Sequence, residues 1–285
     1  MMPAENELQL KRLMMLVISG VFLGLLKVWQ VIHRLVGVKS GGTCVVLYYH
    51  QVRREHRAKF ARQMDMLLHR ARPARVDRNE PLDPSLHHVA VTFDDGYENV
   101  FQNALPELQK RNIPSTMFVI TEALGKYPDW LSEPETVERV MSPQQLLELP
   151  AELVTVGSHT MTHPSLPSLS ETDAKRELFE SRTKLETMLN RKIKLFSFPY
   201  GGFNANLVEW CRESGYERVF TILPTPAFAD PNEFVTGRVS VEPTDWPLEF
   251  QLKLMGAYRW LPAAYSLKRR ILAIRPLGAM SHVSN

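Results

Sequence analysis

The hydrophobic run Val89-Ala-Val-Thr-Phe93 ends in two adjacent carboxylates and a glycine, Asp94-Asp95-Gly96, and no other stretch constrains the chain as strongly. An uncharged run of that length reads as a buried strand. Such a strand delivers paired acids to the rim of a sheet, where α/β folds carry their chemistry. Successive residues of an extended strand point to opposite faces, so one site shared by both carboxylates needs a bend, for which Gly96 supplies the freedom. The competing reading is an Asx-turn, in which Asp accepts backbone hydrogen bonds and Gly makes the turn.

The flanking sequence repeats the pattern. Thr43-Cys-Val-Val-Leu-Tyr-Tyr-His50 reads as a strand ending in a histidine, and residues 57–71 read as a helix from Phe60, Met64, Leu67 and Leu68. Tyr97 to Asn112 reads as helical with a kink or restart at Pro106, and Ser115–Ile120 as the next strand. Residues 125–143, with Pro128, Trp130 and Pro134, read as a long loop bordering a pocket. A short helix near 143–149 precedes a strand at Leu153–Gly157, which runs into Ser158-His159-Thr-Met-Thr-His163-Pro164. Ser170 with Asp173 predicts a helix start, the helix continuing to about Arg191. Ile193–Phe198 is a strand ending in Pro199-Tyr200-Gly201-Gly202, followed by a helix over 206–214 and short strands near 218–222 and 235–241. Strands alternating with helices over about 200 residues predict a mostly parallel barrel or sheet, and 285 residues suffice for one such core.

Composition narrows the class. Hydrophobic residues make up 44% and charged residues 23%, which fits a globular body and excludes a multi-span membrane protein. Cys44 and Cys211 fall in separate apolar segments and read as buried thiols, so no oxidising compartment is implied. The chain carries +3, while residues 251–285 hold six cations and no acid, so residues 1–250 carry −3. An acidic body with a basic tail argues against nucleic-acid binding and for an anionic surface facing the tail.

Residues 13–26 contain no charge, and the apolar stretch extends to Ile32 with only Lys27 interrupting it. At about 1.5 Å per residue, twenty residues just match a hydrocarbon core of about 30 Å. No small-residue cleavage site follows, so the segment is expected to be retained. Gly20, Gly24, Lys27 and Arg34 share one stripe of that helix, which fits a helix lying in the interface, or packed on its own protein, as well as one that spans. Near the other end, Tyr258, Trp260 and Tyr265 interleave with cations and aliphatic residues over 248–275. That mixture suits the headgroup region of an anionic membrane; the alternative is an outer helix of the barrel.

Three strand ends thus carry polar clusters. His-x3-His puts two imidazoles within reach of one ion if the segment coils, and one added carboxylate completes a two-nitrogen, one-oxygen centre with open positions. Thr92-Phe-Asp94-Asp95-Gly, Ser158-His159-Thr-Met-Thr-His163-Pro and Phe198-Pro199-Tyr200-Gly201 together resemble the first three motifs of the polysaccharide deacetylase family, also called the NodB-homology or carbohydrate esterase 4 family. Leu47-Tyr-Tyr-His50 and Ile113-Pro-Ser-Thr-Met-Phe-Val119 add to the resemblance, which covers roughly residues 43–241.

The resemblance implies a distorted (β/α)7 barrel and a divalent metal, commonly zinc, that removes acetyl groups from N-acetylated sugars. It assigns Asp95, His159 and His163 to the metal, Asp94 to the general base, and Tyr200 with Gly201 to the substrate pocket. The sequence departs from the family at two points. Ser197 stands where the third motif often has an arginine that orients the base, and the late Leu-x-His that supplies the general acid is missing. His50, at a strand end on the same rim, is the candidate acid.

The expected organisation is a membrane-associating helix over residues 1–38, a catalytic domain over 39–247 and a basic amphipathic segment over 248–285. The expected function is release of the N-acetyl group from an amino sugar in a lipid-linked or polymeric glycan. The expected location is the inner (cytoplasmic) membrane, on its cytoplasmic face. The alternatives are a catalytically silent glycan- or lipid-binding module and an O-acetyl esterase of the same fold.

Overall fold

The computed structural model describes residues 2–37, 42–78, 80–130, 138–230 and 232–274, without the side chains of residues 2–6, 8, 34 and 268–274. Expectations resting on Gly41, Pro134, Arg275 and His282 lie outside the described residues, and those resting on the side chains of Arg34 and of Lys268, Arg269 and Arg270 lie outside the described side chains.

In chain order the elements are α1 (Met2–Leu35), β1 (Cys44–Tyr49), α2 (Arg57–Arg70), β2 (Arg72–Pro73) and β3 (His88–Phe93), then a π-turn at Val100–Ala104 leading into α3 (Leu105–Arg111). They continue as β4 (Ser115–Val119), α4 (Pro143–Leu147), β5 (Val154–Ser158), α5 (Glu171–Leu189), β6 (Leu195–Ser197), α6 (Ala205–Glu213) and β7 (Arg218–Phe220). The last are β8 (Val235–Thr236), β9 (Val239–Ser240), α7 (Pro247–Leu254) and α8 (Leu261–Ile274). Pro106 has no N–H to give the carbonyl four residues back, and the helix restarts there after the wider π-turn. Ser142, Ser170 and Asn204 each cap a helix by accepting a backbone N–H.

The strands run in the order β8-β7-β6-β5-β4-β3-β1-β9, every neighbour pair parallel, with β2 added beside β3. The two edges of this sheet are consecutive in the chain. β8 pairs with β7 and β9 with β1, and only Gly237-Arg238 separates β8 from β9. One bent strand, 235–240, therefore closes the ring, and counted once it makes a seven-strand barrel with β1 and β3 to β7. Gly237 is obligatory at the bend: a Cβ there would lie 2.1 Å from the Leu223 carbonyl oxygen and 2.2 Å from Thr225 Oγ1.

Strand alternation sorts the side chains. Val45, Leu47, Tyr49, Val89, Val91 and Phe93 face outward into one large core with the helices, including Phe60, Met64 and Leu67 of α2. Cys44, Val46, Ala90, Phe118 and Phe220 face inward and fill the barrel. Both cysteines are free and buried, and burial pushes the Cys44 thiol up to about 12.

α1 lies against the body along one stripe. Leu16 packs with Leu252, Ala257 and Tyr258, flanked by Met15 and Leu23. Trp260 Nε1 donates to Ser19 Oγ at 3.1 Å, and Arg12 pairs with Glu249. Residues 247–260, which overlap the start of the 248–285 segment, form the seat of this helix. The outer stripe of α1 remains uncovered, with Leu13, Val17, Val21 and Val28 more than half exposed.

Candidate functional site

The inward alternation of β3 passes through Ala90 and Thr92 to Asp94, so Asp94 points into the barrel mouth. Asp95 would ordinarily point away. It instead takes a left-handed conformation, φ 67°, followed by Gly96 at φ 71°, and the bend turns the second carboxylate to the same side. The bend is thus carried by the aspartate itself as well as by the glycine. Backbone bonds hold it: Gly96 N–H donates to Asp94 O at 2.8 Å, and Met141 N–H donates to Gly96 O at 2.9 Å.

The His-x3-His segment also coils through left-handed residues, Thr160 at φ 68° and His163 at φ 61°. Each such non-glycine residue costs on the order of 1–3 kcal/mol and persists only where its surroundings over-determine it. Here the over-determination comes from Glu177 on α5. Its buried carboxylate accepts from Met161 N–H at 2.7 Å, Thr162 N–H at 3.1 Å and Thr162 Oγ1–H at 2.7 Å. Thr160 Oγ1 accepts from His163 N–H at 3.0 Å.

The result is a compact donor set. Asp95 Oδ1 lies 3.3 Å from His159 Nε2 and 3.4 Å from His163 Nε2, and the three donors lie within 4.8 Å of one another. All three residues are buried, and Asp95 Oδ1 has no hydrogen-bond partner. A buried carboxylate oxygen without a donor is costly. His159 Nδ1 lies 2.7 Å from Ser197 O, so Nδ1 carries the proton and Nε2 turns its lone pair toward Asp95. Burial, then the neighbouring His159, depresses His163 to about 4, leaving a neutral imidazole at physiological pH. Burial opposes the charge on His159, but the carboxylates of Asp95 and Asp94 outweigh it and raise its pKa. An unpartnered carboxylate oxygen facing two imidazole nitrogens fits a divalent cation of the zinc type.

Asp94 is held differently. Arg238 Nη1 donates to its Oδ1 and Arg238 Nη2 to its Oδ2, both at 2.7 Å. The same guanidinium donates to Thr92 Oγ1 at 3.2 Å and Ser197 Oγ at 2.7 Å. Arg238 is wholly buried, its charge stacked near the rings of Tyr48, Phe118 and Phe220 at 4.7, 5.3 and 5.8 Å. Burial alone would raise the Asp94 carboxyl. The Arg238 charge, with that of His159, overrides it and holds the group down at about 2. Sequence reasoning left the support of Asp94 open because Ser197 replaces an arginine. The structure supplies that arginine from the bend between β8 and β9, and Ser197 becomes its hydrogen-bond acceptor.

Asp94, Asp95, His159 and His163 line one pocket of about 550 Å³, together with His50, Tyr200 and Gly201. All seven residues singled out from the sequence therefore meet. Tyr200, 58% exposed, has φ 56° and stands edge-on to His163 at 4.6 Å. Gly201, at φ 68°, has no room for a side chain, since a Cβ would lie 2.3 Å from Ile222 Cγ1. His50 packs edge-on to Tyr48 at 5.6 Å, outside the donor triad. Sequence reasoning did not single out Arg238 or Glu177, and it read Trp130, whose ring lies 4.8 Å from His163, only as part of a bordering loop. The one available signal for Arg238 was a lone charge inside the apolar run Phe234-Val-Thr-Gly-Arg-Val-Ser-Val241.

A parallel barrel whose rim gathers two histidines and one aspartate, with a second aspartate clamped beside them, defines an α/β-barrel rim site able to hold a metal ion. Residues 83–219 match the family model described as polysaccharide deacetylase. The chain is 27% identical over 160 residues to the putative polysaccharide deacetylase YxkH of Bacillus subtilis (strain 168), covering 56% of this chain and 53% of that protein. It is 26% identical over 129 residues to the peptidoglycan-N-acetylglucosamine deacetylase of Bacillus cereus, covering 45% of this chain and 42% of the relative. The chain thus spans about half the length of the curated relatives it matches. Among solved structures it resembles IcaB from Ammonifex degensii, with a TM-score of 0.62 and 29% identity over 75% of this chain and 98% of that one.

Proposed function

We propose that this protein is a metal-dependent hydrolase that removes the N-acetyl group from an amino sugar in a lipid-linked or polymeric glycan at a membrane surface. The observation that carries this reading is the pairing of a three-donor centre with a second carboxylate that is not part of it. Asp95, His159 and His163 would hold a divalent ion such as zinc, which when bound polarises an amide carbonyl and lowers the pKa of its water toward about 7. Asp94 stays ionised under the grip of Arg238 and lines the same pocket, placed to take a proton from an attacking water. The backbone at Tyr200 and Gly201 borders the space where the carbonyl oxygen becomes negative; a donor so placed contributes about 3 kcal/mol. His50, on the same pocket wall, protonates the departing amine. An O-acetyl ester would need less of that last help, which keeps esterase activity as the second reading.

The packing of α1 supports membrane attachment in the plane of the interface. Within its residues 9–33 a window of 18 residues has a mean hydropathy of 2.0, and the helix is long and apolar enough to cross a membrane. Contacts with the body, however, run from Arg12 to Leu23, through half of that length. A spanning α1 would carry Glu249, Asp245 and Lys253 of its seat into hydrocarbon, at several kcal/mol per charge. Lying flat, it buries its exposed stripe and leaves the seat in water. We assign the cytoplasmic face, which basic segments favour.

The test is acetate release from N-acetylhexosamine oligomers together with metal content, wild type against Asp94→Asn. The expected result is full metal occupancy with turnover lowered about 10²- to 10⁴-fold. Unchanged turnover would remove Asp94 from its role, and binding of acetylated glycans without any turnover would favour a silent binding module.

A further inference from the structure

Beside the pocket lies a second groove of about 380 Å³ that the chemistry above does not use. The two share Pro243 and Thr244 as a common wall. One side of the groove is α2, which presents Lys59 and Arg62 one turn apart, and neither has an ion-pair partner among the described residues. The other side is apolar, made by Trp246 and Pro247 at the start of α7. Asp245 also lines the groove, but its carboxylate is engaged by Lys253 Nζ at 2.8 Å and Glu242 N–H at 3.1 Å, so the unanswered charge is positive. The groove also meets α1. Arg12 donates to Thr244 O at 3.4 Å and lies over the Trp246 ring at 4.4 Å.

A ligand fitting this groove carries anionic oxygens at one place and an apolar chain at another, and it arrives from the side of the apolar helix. We propose that the groove seats the phosphate and first lipid segment of a sugar carried on a lipid phosphate, while the acetylated sugar enters the adjoining pocket. Lys59 and Arg62 hold the phosphate oxygens by charge-assisted hydrogen bonds. Trp246 and Pro247 cover the chain, and the shared wall at Pro243-Thr244 sets the spacing between phosphate and sugar. This rests on the deacetylase reading and makes the lipid-linked form, rather than free polymer, the substrate the site is shaped for.

The experiment uses the full chain loaded with zinc and compares wild type with Lys59→Ala/Arg62→Ala on two substrates. One is a soluble N-acetylglucosamine oligomer and the other N-acetylglucosamine linked through pyrophosphate to a short isoprenyl chain. The expected result is a loss of at least tenfold in kcat/KM, carried by KM, on the lipid-linked substrate and less than twofold on the oligomer. Equal losses on both, or none on either, would overturn the groove assignment. If wild type turned over neither, the deacetylase reading would fall, and binding of farnesyl phosphate, followed by quenching of Trp246 against a Trp246→Phe control, would decide the groove. Quenching in wild type that the double variant loses, and that farnesol does not produce, supports it. Equal quenching by farnesol, or full displacement by phosphatidylglycerol, rejects it.

Discussion

Arg238 reaches across 144 positions of sequence to grip both carboxylate oxygens of Asp94, one with each terminal nitrogen, at 2.7 Å. The pair is buried, so its geometry sets both where the base points and when it is charged. A base held at about 2 is ionised throughout the physiological range but weakly basic, which suits abstraction from an already acidified water rather than from a free one.

The pair makes a prediction about the sign of a pH effect. In metal-free wild type the folded-state pKa of Asp94 lies below the unfolded value of about 3.9, so its contribution is present above that pH and is lost as pH falls toward about 2. In Arg238→Met, burial is left with less opposition and raises the carboxyl, so protonation on acidification relieves the folded state. Denaturant titrations should show the variant about 3–5 kcal/mol less stable at pH 7, with the gap narrowing by pH 5. A gap that widens on acidification would contradict the assignment.

The donor triad predicts metal dependence with a readout apart from catalysis. Asp95→Asn and His159→Gln should each lose stoichiometric zinc after dialysis, measured by atomic emission, while Asp94→Asn retains it. Zinc added to chelator-stripped wild type should raise the melting temperature, by the linkage of ligand to the folded state. Retention of zinc by both ligand variants would rule out the triad as the metal site.

His50 can be tested through the leaving group. An amine leaves only with a proton and an alkoxide leaves more easily, so His50→Gln should slow N-acetyl substrates about 10²-fold or more and O-acetyl esters far less. Equal slowing of both would mean that His50 shapes the pocket and moves no proton to the leaving group.

The flat attachment of α1 is measurable as depth. Fluorophores placed by single cysteine substitution at Leu13, Val21 and Val28, all on the uncovered stripe, should be quenched by bromolipids at one shallow depth in anionic vesicles. A spanning helix would instead put Val21 deepest, and absence of quenching at all three would leave the stripe without a lipid partner.

Most of the barrel could be read from sequence because its strands are short, mostly uncharged runs buried on both faces and its helices carry apolar stripes and serine or asparagine caps. The site was legible for a related reason: Asp94, Asp95, His159, His163, Tyr200 and Gly201 all sit where a hydrophobic run stops. Arg238 and Glu177 were not, because their roles depend on which elements end up adjacent. Arg238 acts across a ring closure, and Glu177 acts from the middle of a helix onto a loop, and neither has a local pattern in the chain. The break at Gly237 was hidden likewise, since 235–241 has the composition of one continuous strand. The seat of α1 was left open because Leu252, Tyr258 and Trp260 have the same composition whether their partner is lipid or another helix.

The bent strand at 235–240 also sets an order of events during synthesis. A ribosome extrudes both aspartates, both histidines and the Pro-Tyr-Gly turn well before residue 238 emerges. Until then the nascent half-ring can bring Asp95, His159 and His163 together, yet Asp94 has no Arg238 counter-charge to hold it ionised in the interior. The clamp on Asp94 therefore arrives last, with the segment that shuts the ring.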